Sequence, residues 1–261
     1  MFQLYKDLKI AYYAIALSVV IPLVVYGGWE EKVGPIVWAF IMPFIIAIAV
    51  EIIAIKRFNA LNKIREVNCN IAEYRSELEK LRINCKNAKT LYTVNMNLIA
   101  ALLDSGRSAE ALNLLQAINP KFFGKGAMGV YNRGVYLNNF AYAYIRLGDL
   151  ESAERMLLDM KQCIDDPKIK NLAKEKNLLF DLYTTKKILI QIEKGNLEGA
   201  EQILLMMMEK AKSNLWQVNT SYNLAKVYLQ KGNAEQAKRY IDFVMKYGGD
   251  TVYKSEISKM I

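Results

Sequence analysis

The three cysteines, Cys69, Cys85 and Cys163, are the side chains in this sequence best suited to redox or metal chemistry. They form no CxxC pair and have no metal-site spacing, so we interpret them as reduced, buried thiols. The sequence contains no histidine, which removes the commonest general base, a frequent metal ligand and the hydrolytic triads that depend on it. We therefore expect no catalytic residue, no metal and no cofactor, and a protein that is not an enzyme.

Glu51 is a further candidate, because it interrupts a long apolar run. A carboxylate inside a membrane is a functional candidate by default, and Pro22 and Pro43 would bend the helices that contain them. These three residues support one hypothesis, in which the apolar segment works in an export, channel or secretion complex. We favour the alternative that Glu51 reaches the lipid headgroups or pairs with Lys9, because an ion pathway usually needs more polar groups.

Two apolar runs near the start of the sequence are long enough to cross a lipid bilayer. Residues 10–26 carry no charge, and the run at 36–55 has 20 residues, which as a helix covers roughly 30 Å. A cleaved signal peptide is the alternative for the first run, but no A-x-A-like site follows it. The pattern predicts a transmembrane hairpin at residues 1–57, with spans at about 10–27 and 35–55.

The orientation of this hairpin follows from its basic residues. Lys6 and Lys9 precede the first span, Lys56 and Arg57 follow the second, and the short loop between the spans holds only Lys32. Because cytoplasmic segments carry an excess of lysine and arginine, we expect a multi-pass protein of the cell membrane with both termini in the cytoplasm.

The net charge argues against binding to nucleic acid. Of the formal charge of +9, all but +1 lies beyond Phe58, and it is spread over the remaining chain. No basic run interleaved with aromatic residues occurs, whereas a mild positive excess suits the face of an anionic bilayer.

Residues 58–88 are predicted to form a connecting helix, because they contain neither proline nor glycine. Apolar positions separated alternately by three and four residues begin at Ile64 and end at Ala88, which is a heptad pattern. One hypothesis is a coiled coil that forms a homodimer through residues 60–88. The alternative, which we favour because the seam contains Cys85 and Tyr74, is that the stripe packs on the chain's own first helical repeat.

A Gly-x4-Ala turn recurs four times between apolar-periodic segments. The four copies read GRSAEA, GDLESA, GNLEGA and GNAEQA, and they begin at Gly106, Gly148, Gly195 and Gly232. Glycine can end a helix in the left-handed conformation, and the alanine allows two helices to approach closely. Asp149, Asn196 and Asn233 follow the glycine and suit the start of the next helix. The pattern predicts helical hairpins.

These four turns and their flanking helices resemble the tetratricopeptide repeat (TPR) family over residues 89–249. The glycines are separated by 42, 47 and 37 residues, against about 34 in the family, so we expect an irregular solenoid. The resemblance implies an all-α fold of about four repeats at 89–261, which ends in a capping helix with the sequence DTVYKSEISKMI. The segment PKFFGKGAMGVYNRG, residues 120–134, is expected to be a linker between repeats.

In the resembled family, the first helix of each repeat lines a groove that binds peptides or proteins. Carried over to the second and fourth repeats, this implies a partner-binding groove formed by Asn138, Tyr142, Arg146, Asn219, Tyr222, Lys226 and Gln230. The alternative is that these are ordinary solvated side chains of a helix. The sequence thus predicts a membrane-anchored TPR scaffold that binds a protein or peptide at the cytoplasmic membrane face.

Overall fold

In the computed structural model, which describes residues 5–85 and 87–260, the chain is helical throughout, with no β-strand in those residues. The predicted all-α fold is confirmed. Residues 1–4, 86 and 261, which belong to the predicted ranges 1–57, 58–88 and 89–261, lie outside the described residues. The described α-helices are α1 (Lys6–Trp29), α2 (Val33–Glu66), α3 (Ile71–Asn84), α4 (Ala88–Asp104), α5 (Ser108–Gln116), α6 (Gly126–Leu147), α7 (Leu150–Asp165), α8 (Ala173–Glu193), α9 (Ala200–Lys210), α10 (Asn214–Gln230), α11 (Ala234–Tyr247) and α12 (Val252–Ile257).

The chain divides into two compact units. The first comprises Met1–Asn62 and Glu79–Leu91, and the second comprises Lys63–Leu78 and Tyr92–Ile261. The first contains α1 and most of α2, and the second contains most of α4 and the other helices that the glycine turns join in pairs.

The first unit contains α1 and most of α2, which are long and apolar enough to cross a membrane. They share a narrow core that consists of Leu8, Ala16, Ile46, Val50 and Ala54. Most of their other apolar side chains are exposed, and only 11% of the residues in the most apolar window of either helix are buried. A core helix of a water-soluble domain buries its apolar face, and these two helices leave most of theirs exposed.

The stretch that follows α2 is not one continuous helix. The second helix ends at Glu66, and α3 begins at Ile71 after a turn in which Cys69 has a φ of +52°. The carboxylate of Asp250 accepts hydrogen bonds from the backbone N–H groups of Ile71 and Ala72, at 2.5 and 2.8 Å. These are orphan donors of a helix start, so Asp250 caps α3 from a distant part of the sequence.

The helical pairs α4/α5, α6/α7, α8/α9 and α10/α11 match the four predicted hairpins. The glycines between their helices, Gly106, Gly148, Gly195 and Gly232, have φ values from +73° to +79°. This is the left-handed conformation expected of them, which an L-residue with a side chain adopts only at a cost. The alanines five positions later, Ala111, Ala153, Ala200 and Ala237, are completely buried, as close helix packing requires.

The caps of the second helices are confirmed at two of the three predicted positions. Asp149 accepts a hydrogen bond from the N–H of Ser152, and Asn233 accepts one from the N–H of Gln236. In the third repeat, Asn196 instead bonds to the N–H of Glu198, and α9 begins only at Ala200. The helix is delayed because Gly199 is itself left-handed, with a φ of +68°.

The glycine-rich segment 120–134 is mostly helix rather than a linker, so that expectation was wrong. A short 3-10 turn covers Pro120–Phe123, and α6 then begins at Gly126. Gly134 lies inside α6 because its backbone approaches α8, where an added Cβ atom would lie 2.8 Å from the Leu179 side chain. Close packing between helices, and not a turn, explains this glycine.

Candidate partner-binding site

The last helix, α12, packs against α10 and α11 and carries two fully buried side chains, Tyr253 and Ile257. Its polar side chains meet four of the residues predicted to bind a partner: Tyr142, Arg146, Asn219 and Tyr222. We call the surface that these four residues share the inner face. The chain's own end therefore contacts the inner face.

The hydroxyl of Tyr253 is the centre of a buried hydrogen-bond network. It lies 2.8 Å from the hydroxyl of Tyr142, accepts from the side-chain amide of Asn219 at 2.6 Å, and donates to Asp104 at 3.1 Å. A hydroxyl has one proton, so with Asp104 as its acceptor the proton between the two tyrosines must come from Tyr142. Burial raises the pKa of Tyr253 well above its ordinary value, and the hydroxyl stays neutral.

Glu256 lies one helical turn after Tyr253 and forms the charged part of the contact. Both terminal nitrogens of Arg146 donate to its carboxylate, with Nη1 at 3.0 Å from Oε2, and the hydroxyl of Tyr222 donates to Oε2 at 2.5 Å. Burial alone would raise the pKa of Glu256, but the bonds from Arg146 and Tyr222 lower it overall. A bidentate, partly buried pair of this kind is stronger and more specific than a surface ion pair.

The remaining predicted residues do not contact α12 through a hydrogen bond or ion pair. Lys226 pairs with Glu193 at 2.5 Å, and Gln230 is exposed at the end of α10. Asn138 is 7% exposed and donates to the side-chain oxygen of Asn139. The structure thus brings four of the seven predicted residues together around α12, and the other three have different surroundings.

Three residues at this site were missed by the sequence reasoning: Asp104, Tyr253 and Glu256. Asp104 is 5% exposed and holds Arg65 at 2.7 Å in addition to the Tyr253 hydroxyl. The spacing of Tyr253 and Glu256, three residues apart on one helix, places both on the same side and could have indicated a contact. Nothing local in the sequence marks Asp104, because its partners come from distant segments.

The turn before α12 is fixed in place. Gly249 has a φ of +55°, and an added Cβ atom would overlap the carbonyl oxygen of Cys69. The next residue, Asp250, caps α3, and the Thr251 hydroxyl donates to the carbonyl of Gly248 at 2.7 Å. These contacts fix the position in which α12 packs against the inner face.

The chemistry that this arrangement supports is recognition by hydrogen bonds and charge. Two tyrosines, an asparagine and an arginine match a phenol and a carboxylate that are one helical turn apart on a ligand. Within residues 5–85 and 87–260, no group of three metal-ligating side chains is close enough to hold a metal ion.

One comparison with known families agrees with the helical-repeat fold. The family model described as the SusR N-terminal TPR domain matches residues 72–242, about two thirds of the chain. Comparison with curated proteins gave no significant match, and comparison with solved structures gave none either.

Proposed function

This chain belongs to the family of the SusR N-terminal TPR domain, and on that premise we propose that it is a membrane-anchored scaffold that binds a protein segment. TPR domains are protein-interaction modules whose repeats build extended binding surfaces. In this proposal the hairpin, residues 1–57, holds the chain in the bilayer, and the repeat region binds its partner at the cytoplasmic face. The proposal assigns the chain no reaction and no cofactor.

The exposure of α1 and α2 supports the anchor. Apolar side chains such as Phe40 and Phe44 are 71% and 72% exposed, which is costly in water and favourable in hydrocarbon.

The anchor is tested by washing membranes with alkaline carbonate, after which the full chain should stay in the pellet. In sealed right-side-out vesicles, protease should leave the repeat region intact until the vesicles are permeabilised. Release by carbonate, or cleavage of the repeats from outside, would refute this part.

The engagement of α12 by the inner face is the observation on which the partner-binding part rests. Arg146 and Tyr222 hold a glutamate, while Tyr142 and Asn219 hold a tyrosine one turn earlier. We infer that the partner presents a helical segment with the same pair, a tyrosine and a carboxylate three residues later. Such a segment competes with α12 for the groove. Asn138, Lys226 and Gln230, which the sequence also predicts for the groove, are assigned to the same proposed site.

The experiment uses a fluorescent peptide with the sequence GGDTVYKSEISKM, which reproduces the natural occupant. It is titrated against the full chain in detergent micelles, as wild type and as the double variant Tyr253→Ala/Glu256→Ala. The variant weakens its own α12, so we expect it to bind the peptide at least about tenfold more tightly than the wild type. Circular dichroism of each preparation establishes that the protein is folded.

Two controls make the peptide experiment specific. Ser255→Ala changes an exposed position of α12 and should leave peptide binding at the wild-type value. A peptide with alanine in place of its tyrosine and glutamate should not bind either protein. Equal affinity of the two peptides, or no binding by a folded double variant, would contradict the proposed site.

A further inference from the structure

A cavity of about 270 Å³ lies beside the α12 contacts, within the second unit. Since a water molecule takes about 30 Å³ in the liquid, this is space for roughly nine waters or for a small organic ligand. Its lining includes the apolar side chains of Leu182, Met207 and Trp216 and the polar side chains of Lys186 and Asn138. A mostly apolar lining with a few polar groups is typical of ligand sites.

Lys186 is the most unusual residue of this cavity. It is only 7% exposed, yet within the described part of the chain no carboxylate lies within ion-pair distance of its ammonium group. Its Nζ atom instead lies 4.2 Å from the centre of the Tyr142 ring. Burial lowers the pKa of Lys186 to about 8, and the negative charge of Asp104 offsets only part of this shift. A buried amine without an anion is costly, and such residues are concentrated at functional sites.

The other charged groups of the cavity are already paired. Arg65 lies 2.7 Å from Asp104 and 2.5 Å from Glu66, and Asp181 is held by Lys210 at 2.9 Å. Lys186 is therefore the cationic group of this cavity that is available to an anion.

Asn138 provides a second, independent sign of a ligand. Its side-chain nitrogen donates to Asn139, but its Oδ1 atom is buried and accepts no hydrogen bond within the described residues. A buried acceptor that makes no hydrogen bond keeps its full desolvation penalty, so a ligand that donates to it would stabilise the site. The cavity lining thus contains a cationic side chain and an unsatisfied acceptor together with apolar side chains.

We propose that this cavity binds a small organic acid whose carboxylate pairs with Lys186, whose hydroxyl or amino group donates to Asn138, and whose apolar body packs on Met207 and Trp216. The site goes beyond the proposed scaffold function, because its ligand is a small molecule rather than a protein segment. It shares a wall with the α12 contacts, since Tyr142 lies between Lys186 and Tyr253.

The test is isothermal titration calorimetry on the full chain in detergent micelles, with hydroxyisocaproate, leucine and phenyllactate as probes. Each acid is paired with its amide, which lacks the carboxylate charge. We expect saturable binding of at least one acid, and binding of its amide to be weaker by at least about tenfold. Phenylpropionate, which lacks the hydroxyl of phenyllactate, should bind more weakly than phenyllactate, and Asn138→Leu should remove that difference.

Lys186→Met is the decisive variant, because methionine retains the apolar part of the side chain without its charge. It should abolish binding of the acid, whereas Lys187→Met, at an exposed neighbouring position, should leave it unchanged. The proposal is overturned if no acid binds the wild type, if amides bind as well as acids, or if folded Lys186→Met binds normally. Binding of the acidic peptide Ac-Leu-Asp-Leu-NH2 without any free acid would also overturn it, and would assign the carboxylate to a partner protein. These readouts are independent of the α12 peptide, so either proposal can fail alone.

Discussion

The inner face and the cavity beside it satisfy their polar groups in different ways. Around α12, the hydroxyl of Tyr253 and the carboxylate of Glu256 complete the hydrogen bonds of the face. Beside it, the ammonium of Lys186 and the Oδ1 atom of Asn138 are buried without an anion or a donor among the described residues. The polar groups around α12 find partners within the chain, and these contacts stabilise the fold. The unpaired polar groups of the cavity destabilise it, as is common at binding sites.

The direction of two pKa shifts shows the same contrast. The pKa of Glu256 is lowered because the bonds from Arg146 and Tyr222 outweigh its burial, so folding favours its charged form. The pKa of Lys186 is lowered to about 8 because burial prevails, so folding disfavours its charged form. Both pKa values are lowered, but the charged form of Glu256 stabilises the fold at neutral pH, whereas that of Lys186 destabilises it.

The largest expected effect is the loss of the Tyr253 side chain. Tyr253→Ala leaves a cavity in a fully buried site and removes a partner of Asp104, Asn219 and Tyr142, so we expect the free energy of unfolding to fall by about 3–5 kcal/mol. Tyr253→Phe removes only the hydroxyl and should cost about 1–3 kcal/mol. Denaturant unfolding of the full chain in mild detergent measures both. Equal costs for the two variants would show that the hydroxyl network contributes everything and packing nothing.

Breaking the ion pair of α12 should have the next largest effect. Arg146→Ala leaves Glu256 partly buried without its cation, and we expect a loss of about 2–3 kcal/mol at neutral pH. The matched control is Arg107→Ala, whose pair with Glu110 is exposed and should contribute less than about 1 kcal/mol.

Because the pKa of Glu256 lies below its ordinary value of 4.5 in the folded chain, the stability that its carboxylate contributes is complete above that value and is lost as the pH falls below it. A difference between wild type and Arg146→Ala that does not depend on pH would contradict this.

Replacing Lys186 in the cavity should have the opposite effect on the free energy of unfolding. Lys186→Met should raise the free energy of unfolding at neutral pH by about 1–3 kcal/mol, because it removes a buried charge that has no anion. Between pH 8 and 10.5 the unfolded chain binds more protons than the folded chain, so wild-type stability should rise with pH there and the gain from the variant should shrink. The control Lys187→Met should change neither quantity. If Lys186→Met destabilised the protein, the lysine would be a structural residue.

The smallest expected effect concerns the turn that delivers α12. Asp250→Ala removes the cap of α3 and should cost about 1 kcal/mol. Asp149→Ala, which removes the cap of α7, should also lower the stability. Only Asp250→Ala should also strengthen binding of the peptide GGDTVYKSEISKM, because α12 is then fixed less firmly on the inner face. Equal peptide binding by the two variants would mean that the turn does not control α12.

The repeats could be predicted from the sequence because their signals are local. A glycine such as Gly148 must adopt a positive φ at a helix end, and an alanine such as Ala153 must be small where two helices touch. The same local reasoning failed for Gly134. Its reason is contact with Leu179 on a different helix, which no neighbouring residue indicates.

The inner face could be predicted only in part, for the same reason. Helical spacing placed Tyr142 and Arg146 on one side of α6, but their partners on α12 lie 111 and 110 residues away in the sequence. The contact between Asp250 and Ile71 spans 179 residues. Which segments meet at such distances depends on the packing of all repeats together, and a single sequence carries no local mark of it.

The central claim, that α12 and a partner segment occupy the same part of the inner face, is tested most directly by hydrogen exchange. The full chain in detergent micelles is exchanged with and without excess peptide GGDTVYKSEISKM labelled with 13C and 15N, so that the fragments of the chain and of the peptide differ in mass. The amides of residues 252–257 of the chain are then followed by mass spectrometry. We predict that the peptide makes these amides exchange faster while those of α5 and α9 keep their rates, because the peptide displaces α12. Unchanged protection of residues 252–257 while the peptide is bound would contradict the account.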